Sequence, residues 1–547
     1  MLLNMFKYIF DYNEVIKYKT NYDYDEYDVY QELEKTSNTD NNALALLSTD
    51  NIFLDLFVNL NRDLDIYKLE DYIKDCIKID PLKTIAIIYN CRDRKNGKKE
   101  KKISNDAMYI LKSYDMELYK KNIYNYIDKY GCWKDLLYIA EKDVKFLYVE
   151  TRLFAKKLVE DKNKLEKNDD NISLCAKWSP SENKNHDKKL YISKEIALDI
   201  LYLEYNIHKK ISLEDYNKYK EKSGEYYRKQ YLSPLRNKIN IIEKLLCNKE
   251  YNKINYESVP SIAHKRLKNT FMKHDMERYN NYLKNLQKGI AKINTTGILP
   301  HELVNYYLTD NKELDLTIES QWKTIVKDIK KSGILDNILA VVDVSGSMFS
   351  ARNGSIPAQV SIALGLLISE CSTNLFKNKV ITFTECAEFH NIEGETLKER
   401  INSIKNMNWG YSTNFESVAE IIVDFGKKYT ILDKDMPKKI IVLSDMQFDE
   451  AQNIEDNNKL PHNIFLDKFK KNNFTSPKII YWNLNSDNTK SFPVDINENG
   501  TAIISGFSEQ LLKIFMEYDN FDPNIVLNKI LEPYIKYINI NKGINID

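Results

Sequence analysis

The sequence lacks several features that mark particular classes of protein. Lys and Arg together number 80, as do Asp and Glu, so the net charge points to no class of partner. The longest apolar stretch, around residues 356–369, is too short for a membrane span and is broken by Gln359 and Ser361. No signal-peptide cleavage pattern follows Lys7. We therefore expect a soluble, cytoplasmic protein.

Paired cysteines are also missing. The sequence has seven, at positions 76, 91, 132, 175, 247, 371 and 386. An odd number without any Cys-x-x-Cys excludes an ordinary disulfide framework or zinc site and predicts reduced thiols.

Patterns of common catalytic sites are absent as well. The sequence contains no Gly-x-Ser-x-Gly turn, no Walker loop and no Gly-x-Gly-x-x-Gly. His301-Glu302 lacks the second His that a zincin helix needs, because Asn305 stands there. His274-Asp275 is most simply a pair on a helix surface. We expect a non-enzymatic protein, although a metal held by a carboxylate and hydroxyls can in principle activate water.

What the sequence does contain is a local excess of positive charge. Between residues 177 and 300 there are 25 basic and 14 acidic residues, a net charge of +11, so the rest of the chain carries −11. This segregation predicts an anionic partner or, alternatively, an acidic face within the same protein.

The first part of the chain is predicted to be helical. Residues 1–42, rich in Tyr, Asp and Glu, are expected to form a poorly packed lead-in. From 43 to 333 apolar residues recur at helical spacing, as at Ile52, Leu56 and Leu60, and Pro81 marks a helix start. Successive helices with short polar turns predict a HEAT-like α-helical repeat domain.

Three basic segments of this region are candidate nucleic-acid contacts. Loop 92–102 has seven cations against two acids, and segments 227–236 and 263–268 combine cations with aromatic or apolar residues. Such groups bind phosphates and stack on bases. The alternatives are a solvated turn for the loop and amphipathic helices for the other two. The candidate residues are Arg92, Arg94, Lys95, Lys98, Lys99, Arg228, Lys229, Arg236, Lys265 and Arg266.

Residues 334–547 alternate between predicted strands and helices. The strands are expected at 338–344, 379–384, 387–392, 439–444, 478–483 and 501–505, with helices at 356–376, near 397, 415 and 464, and from 508 and 523. This alternation predicts a doubly wound, mostly parallel, Rossmann-like sheet. The last helix is expected to pack either on this domain or on the helical one.

The first of these strands runs into Asp343-Val-Ser345-Gly-Ser347. Ligands of open α/β sheets bind at the carboxyl ends of strands. One carboxylate and two hydroxyls on alternate residues of a tight loop supply the hard oxygen donors that Mg²⁺ prefers. Thr413, before a helical pattern, and Asp445, after another strand, fall at matching ends of their elements. Alternatively, the serines are turn residues, Thr413 caps a helix, and Asp445 only solubilises a strand end.

Together these three loops resemble the metal-ion-dependent adhesion site of von Willebrand factor A domains. The resemblance implies a bound Mg²⁺ or other divalent cation. It assigns the metal-binding roles, direct or through water, to Asp343, Ser345, Ser347, Thr413 and Asp445.

A wider resemblance spans roughly residues 42–547. Segments in order look like an uncharacterised family that joins a TROVE-like helical region to a von Willebrand factor A domain and also occurs in large DNA viruses. They include Asp80-Pro81-Leu82, Tyr130-Gly-Cys-Trp133, Ala176-Lys-Trp178-Ser-Pro180, Phe271-Met-Lys-His274-Asp275, Gly297-Ile-Leu-Pro300-His301 and Asp343 to Met348. The family is distantly similar to the Ro ribonucleoprotein autoantigens, whose HEAT-like helices bind small structured RNAs and single-stranded RNA ends. Only the layout matches, without the RNA-contacting residues.

We therefore expect a non-enzymatic RNA-binding or ribonucleoprotein-like scaffold that carries a Mg²⁺-dependent adhesion site. The alternative is a scaffold for protein–protein interaction in which the cation docks a partner's carboxylate and RNA plays no part. Neither function needs a membrane, and association with a virion is expected if the protein is viral.

Overall fold

The computed structural model describes residues 35–62, 64–205, 222–239, 242–309, 312–333, 335, 337–349, 357–383, 386–407, 412–452, 456, 458–485, 491–517 and 521–540. Most of them are helical, and a six-stranded mixed sheet follows the main run of helices. The predicted combination of α and α/β architecture is confirmed. Residues 1–34 of the expected lead-in and residues 409–411 beside Thr413 lie outside the described residues.

The described part of the helical region, residues 43–333, is mostly helical. Its helices are α1 (Ile52–Asn59), α2 (Ile66–Ile79), α3 (Pro81–Arg92), α4 (Lys102–Tyr114), α5 (Met116–Asn125), α6 (Trp133–Lys142), α7 (Tyr148–Glu166), α8 (Cys175–Trp178), α9 (Asn185–Leu190), α10 (Ser193–Tyr205), α11 (Ser233–Lys238), α12 (Ile242–Cys247), α13 (Ser261–His274), α14 (Met276–Gln287), α15 (Pro300–Leu308) and α16 (Leu316–Ser332). Local chemistry sets their ends. Pro81 opens α3, and the Asp80 carboxylate accepts a hydrogen bond from the Lys83 backbone N–H at 3.0 Å.

The sheet region, residues 334–547, contains the strands that the sequence predicted. They are β3 (Ile338–Val342), β4 (Lys379–Thr382), β5 (Glu388–Asn391), β6 (Lys439–Ser444), β7 (Lys478–Asn483) and β8 (Thr501–Ser505), in the spatial order β5-β4-β3-β6-β7-β8. All neighbours pair in parallel except β5, which is antiparallel to β4. Every residue of β3 and β6 is buried, as is usual for parallel strands covered on both faces.

The helices of the sheet region differ from the prediction at two ends. They are α17 (Pro357–Cys371), α18 (Leu397–Lys405), α19 (Phe415–Lys428), α20 (Pro461–Lys471), α21 (Ile514–Glu517) and α22 (Pro523–Ile535). The helix expected to reach residue 376 ends at Cys371, since Thr373 already has an extended backbone with φ −118° and ψ 173° that an α-helix does not accept. The helix expected from Ser508 begins as a 3₁₀ turn, Glu509–Lys513.

One hydrophobic core runs through both regions. Buried side chains form a single cluster from Phe53 of α1 to Tyr534 of α22, while a smaller separate cluster lies around α13 and α14. The final helix, α22, packs against α3 of the helical region. Both placements that the sequence allowed are therefore present, because α22 also contacts β8 and α21 of the sheet region.

Residues 35–42, at the end of the expected lead-in, belong to a hairpin. Strands β1 (Thr36–Asn38) and β2 (Leu44–Leu46) form an antiparallel hairpin, and Leu46 pairs with Phe492 of the sheet region. Thr39 and Ala43 in its turn are buried. Tertiary contacts, rather than a hydrophobic pattern of its own, order this segment.

Two further expectations concern cysteines and membranes. All seven cysteines are free thiols. Within the described ranges, no helix combines the length and the apolar content needed to cross a bilayer.

Candidate metal centre at the carboxyl edge of the sheet

Asp343 lies where β3 ends, beside the end of β6. The two strands are parallel neighbours, with Val342 opposite Leu443, so their carboxyl ends meet at one edge. Asp343 is completely buried. One of its carboxylate oxygens accepts a hydrogen bond from the Ser345 backbone N–H at 2.8 Å, and the other accepts one from the Ser444 hydroxyl at 2.5 Å. These bonds fix the orientation of the carboxylate.

The two serines of the first loop turn toward each other. The hydroxyl oxygens of Ser345 and Ser347 are 3.2 Å apart. Ser345 is buried, whereas Ser347 is exposed and its side chain also hydrogen-bonds the Asp445 carboxylate. The first loop therefore reaches the third loop directly, and both serines have hydroxyl oxygens at the edge of the sheet.

Asp445 follows β6 and completes a buried pair of carboxylates. Burial raises the pKa of Asp343 above its ordinary value, and the nearby charge of Asp445 raises it further. Burial is also the main cause that raises the pKa of Asp445. The other main contributions to the pKa values of Asp343 and Asp445 come from hydroxyls, backbone N–H groups and carboxylates. No described Lys or Arg is among these main contributors. Two buried like charges in this setting favour a bound cation.

Thr413 is tied to the same loop by the carboxylate of Asp449. That carboxylate accepts hydrogen bonds from the Thr413 backbone N–H at 2.8 Å and from the Ser412 hydroxyl at 2.6 Å. The side chain of Asn414 caps α19 by accepting from the Ser417 N–H, so the alternative that Thr413 caps this helix is wrong. The Thr413 hydroxyl is buried and has no hydrogen-bond partner among the described residues. An orphaned buried hydroxyl costs free energy unless a ligand satisfies it.

The donor set fits a hard divalent cation. In the described part of the chain, no group of three or more His, Cys, Asp or Glu side chains is arranged to hold a metal. A site at this edge must therefore use hydroxyl oxygens besides its two carboxylates, which is chemistry that suits Mg²⁺ with some of its water retained.

Three supporting residues did not enter the sequence-based prediction. Ser444 and Asp449 orient the predicted donors, and Gln447 anchors the loop between them. Ser444 precedes Asp445 at the end of a predicted strand, and this position could have identified it as a residue of the site. Nothing local marks Asp449 as the partner of a loop more than thirty residues earlier.

The structure corrects part of the predicted nucleic-acid surface. Arg92 is buried and forms an ion pair of 2.7 Å with Asp135. Lys98 is completely buried, and the Lys99 ammonium pairs with Glu509 at 2.8 Å. These three cations were expected in a solvated loop. All three make contacts inside the protein instead, Arg92 with α6 of the helical region and Lys98 and Lys99 with the sheet region.

The remaining candidates differ in exposure. Arg236 donates hydrogen bonds to the backbone carbonyls of Ala176 and Ser179 and is thus also structural. Arg94 is half-buried and donates to the Tyr130 carbonyl. The exposed candidates are Lys95, Arg228, Lys229, Lys265 and Arg266.

Comparison with known proteins shows the relationship of the whole chain. The family model described as "Domain of unknown function (DUF2828)" matches residues 39–142 and 138–335. The chain belongs to the DUF2828 family. A second model, "Domain of unknown function (DUF7788)", matches residues 337–532. The DUF2828 match thus covers the hairpin and the helical region, and the DUF7788 match covers the sheet with the candidate metal centre.

A relative of this DUF2828 chain is "Uncharacterized protein L728" from Acanthamoeba polyphaga mimivirus. The two are 33% identical over 532 residues, which cover 91% of this chain and 87% of the relative. The sequence-based expectation of an uncharacterised family with viral members is confirmed at this level.

Proposed function

We propose that this DUF2828 chain is a non-enzymatic binding protein whose sheet region acts as a von Willebrand factor A-like domain with a divalent-cation-dependent adhesion site. The observation that carries the proposal is the buried pair of Asp343 and Asp445 with hydroxyl donors around it. Protein chains rarely bury two neighbouring carboxylates without a cation or a shared proton.

The residues that would hold the cation are Asp343, Ser345, Ser347, Thr413 and Asp445. A bound Mg²⁺ would offer a coordination position to a carboxylate of a protein partner. Ser444 holds the Asp343 carboxylate in place, and Asp449 positions the Thr413 loop. Ser347 is exposed, so a partner's carboxylate would reach the cation from its side of the site.

The helical region would serve as the scaffold that presents this site. Its consecutive helices support a TROVE-like, HEAT-type arrangement, and the common core holds it firmly against the sheet. A rigid scaffold favours binding because less conformational entropy is lost on association.

Cation binding by the purified chain tests the proposal. Titration with Mn²⁺, followed by electron paramagnetic resonance, should show one site that Mg²⁺ displaces and that Asp343→Ala abolishes. Asp424→Ala, an exposed acid on α19, is the control and should bind as the wild type does. Equal Mn²⁺ binding by wild type and Asp343→Ala would contradict the proposed site.

RNA binding is a second candidate, favoured by the exposed cations of α13. Lys265 and Arg266 are both exposed within the segment of net charge +11. Adjacent cations on an exposed helix can contact the phosphate backbone without further preorganisation. Lys265 and Arg266 lie outside loop 92–102, so the burial of the cations in that loop does not affect this candidate surface.

A gel-shift series tests the RNA hypothesis. The double variant Lys265→Glu with Arg266→Glu should weaken binding to a single-stranded RNA. Losing two phosphate contacts to a single strand should reduce the slope of log affinity against log salt by about 1.4. The matched control, Lys470→Glu with Lys471→Glu, reverses two exposed charges of the sheet region. Equal retention of RNA and heparin by all three proteins would argue against RNA as the partner.

A further inference from the structure

Helix α16 presents a row of exposed lysines, which we call its lysine face. They recur at positions i, i+4, i+7 and i+8, a spacing that places side chains on the same side of an α-helix. The apolar face of α16 is buried, and the indole N–H of Trp322 on it donates to the Glu370 carboxylate of α17 at 3.0 Å. α16 is therefore held against the sheet region with its lysines toward solvent. The lysine face consists of Lys323, Lys327, Lys330 and Lys331.

The lysine face borders a groove beside α17. Its four lysines line this groove of about 380 Å³ together with Val326 and Glu370. Among the described residues that line it, Glu370 is the only acid. Its carboxylate is already engaged, because it accepts the hydrogen bond from Trp322 and lies 3.9 Å from the Arg400 guanidinium. The groove therefore carries a positive charge that its own acid does not neutralise.

Neighbouring acids leave most of these lysines unpaired. The Lys331 ammonium lies 3.6 Å from the Asp328 carboxylate. Lys323, Lys327 and Lys330, by contrast, form no ion pair with any residue that the structure describes. Cations gathered on one face without counter-charges produce a positive potential that attracts a polyanion.

The composition of the groove favours a nucleic-acid backbone over an acidic protein. Lysine is depleted in protein–protein interfaces, which are enriched in aromatic residues and Arg. Phosphate contacts need only mobile ammonium groups. No aromatic side chain of the described residues lines the groove, so the bases of a single strand would find no ring to stack on. A duplex keeps its bases stacked and presents its phosphates outward.

We infer that the lysine face of α16 binds the phosphate backbone of a nucleic-acid duplex, irrespective of base sequence. From Lys323 to Lys331 the helix rises about 12 Å, so its ammonium groups can reach neighbouring phosphates. The inference goes beyond the proposed function, because it needs neither the candidate metal centre nor Lys265 and Arg266 of α13. Duplex RNA and duplex DNA share this backbone chemistry, and binding measurements with each separate them.

The triple variant Lys323→Gln, Lys327→Gln and Lys330→Gln tests the inference. Glutamine has nearly the helix propensity of lysine but no charge, so thermal unfolding should match that of the wild type. Fluorescence anisotropy with short duplexes of RNA and of DNA, over a series of salt concentrations, measures binding. Losing three phosphate contacts should reduce the slope of log affinity against log salt by about 2.7.

The matched control is Lys428→Gln with Lys470→Gln and Lys471→Gln, which removes three exposed charges of the sheet region and should bind as the wild type does. A loss of duplex binding in the lysine-face variant alone supports the inference, and the duplex that binds more tightly identifies the nucleic acid. Equal salt slopes for all three proteins, or a wild type that binds neither duplex, would overturn it. So would a larger loss of affinity for single-stranded RNA or for polyglutamate than for the duplexes.

Discussion

The Lys98 ammonium donates a hydrogen bond of 2.7 Å to the Ser505 hydroxyl and so joins the helical region to the end of β8. It also donates to the backbone carbonyls of Phe57 and Leu60 in the segment around the end of α1. Gly506, with a φ of 104°, lets the backbone approach the Lys98 stem, since a Cβ there would lie 3.2 Å from the Lys98 Cγ. Burial lowers the pKa of Lys98 from 10.5 to about 8.

Replacing Lys98 should change how stability depends on pH. Below pH 8 both folded and unfolded chains carry the proton, and the cost of burying the charge is fully present. Between pH 8 and 10.5 the unfolded chain binds more protons, so stability from this group rises with pH. The free energy of unfolding of the wild type, relative to Lys98→Met, should rise by about 3 kcal/mol across that window, at about 1.4 kcal/mol per pKa unit.

Urea unfolding at a series of pH values measures this difference. Lys95→Met, which removes an exposed lysine of the same loop, is the control and should follow the wild-type profile. Parallel profiles for wild type and Lys98→Met would show that the lysine is not buried as described.

The buried ion pair of Lys99 and Glu509 should contribute strongly to stability. The atoms are 2.8 Å apart, and both side chains are at most 6% exposed. Glu509→Gln leaves a buried ammonium without its counter-charge and should lower the free energy of unfolding by about 3 kcal/mol. Thermal unfolding measures the loss. Glu532→Gln, in an exposed pair with Lys529, should change stability by less than about 1 kcal/mol; a similar effect in both variants would contradict the prediction.

Thr413→Val should separate stability from cation binding. Valine has nearly the same shape but lacks the hydroxyl, which has no partner among the described residues. In EDTA the variant should be as stable as the wild type or more stable by up to about 1–3 kcal/mol, the cost of an unsatisfied buried polar group. Its affinity for Mn²⁺ should nevertheless fall. A variant that is destabilised in EDTA and binds Mn²⁺ normally would show that this hydroxyl is structural.

Tyr534→Phe should weaken the clasp between α22 and α3. The Tyr534 hydroxyl donates to the Asp93 carboxylate at 3.1 Å and accepts from the Asn90 side chain at 3.2 Å. Removing it leaves two buried polar groups unsatisfied and should cost about 1–3 kcal/mol in urea unfolding. Tyr537→Phe removes a hydroxyl of the following turn and should have a smaller effect. Equal losses in the two variants would show that the hydrogen bonds to Asp93 and Asn90 are not what distinguishes Tyr534.

Local sequence patterns were sufficient to predict those helices and strands whose own residues mark their type or their ends. A continuous apolar run predicts β3, and the Pro after Asp80 predicts the start of α3, because both signals depend on neighbouring residues. The predicted strand ends also carry Asp343 and Asp445, whereas the pairing of β3 with β6 is a finding of the structure. The β1–β2 hairpin had no such signal, since its pairing with Phe492 and its seat on Gln447 involve residues about 400 positions away.

The sequence by itself therefore determined the helical and α/β composition, the strands of the sheet and the loops that carry the candidate metal donors. Only the tertiary structure decided which charged groups face solvent. Loop 92–102 has the composition of an exposed basic loop, yet packing against β8 and the segment around Glu509 buries Lys98 and Lys99. Composition describes the charges of a segment, whereas burial depends on the surface that another part of the chain brings to it.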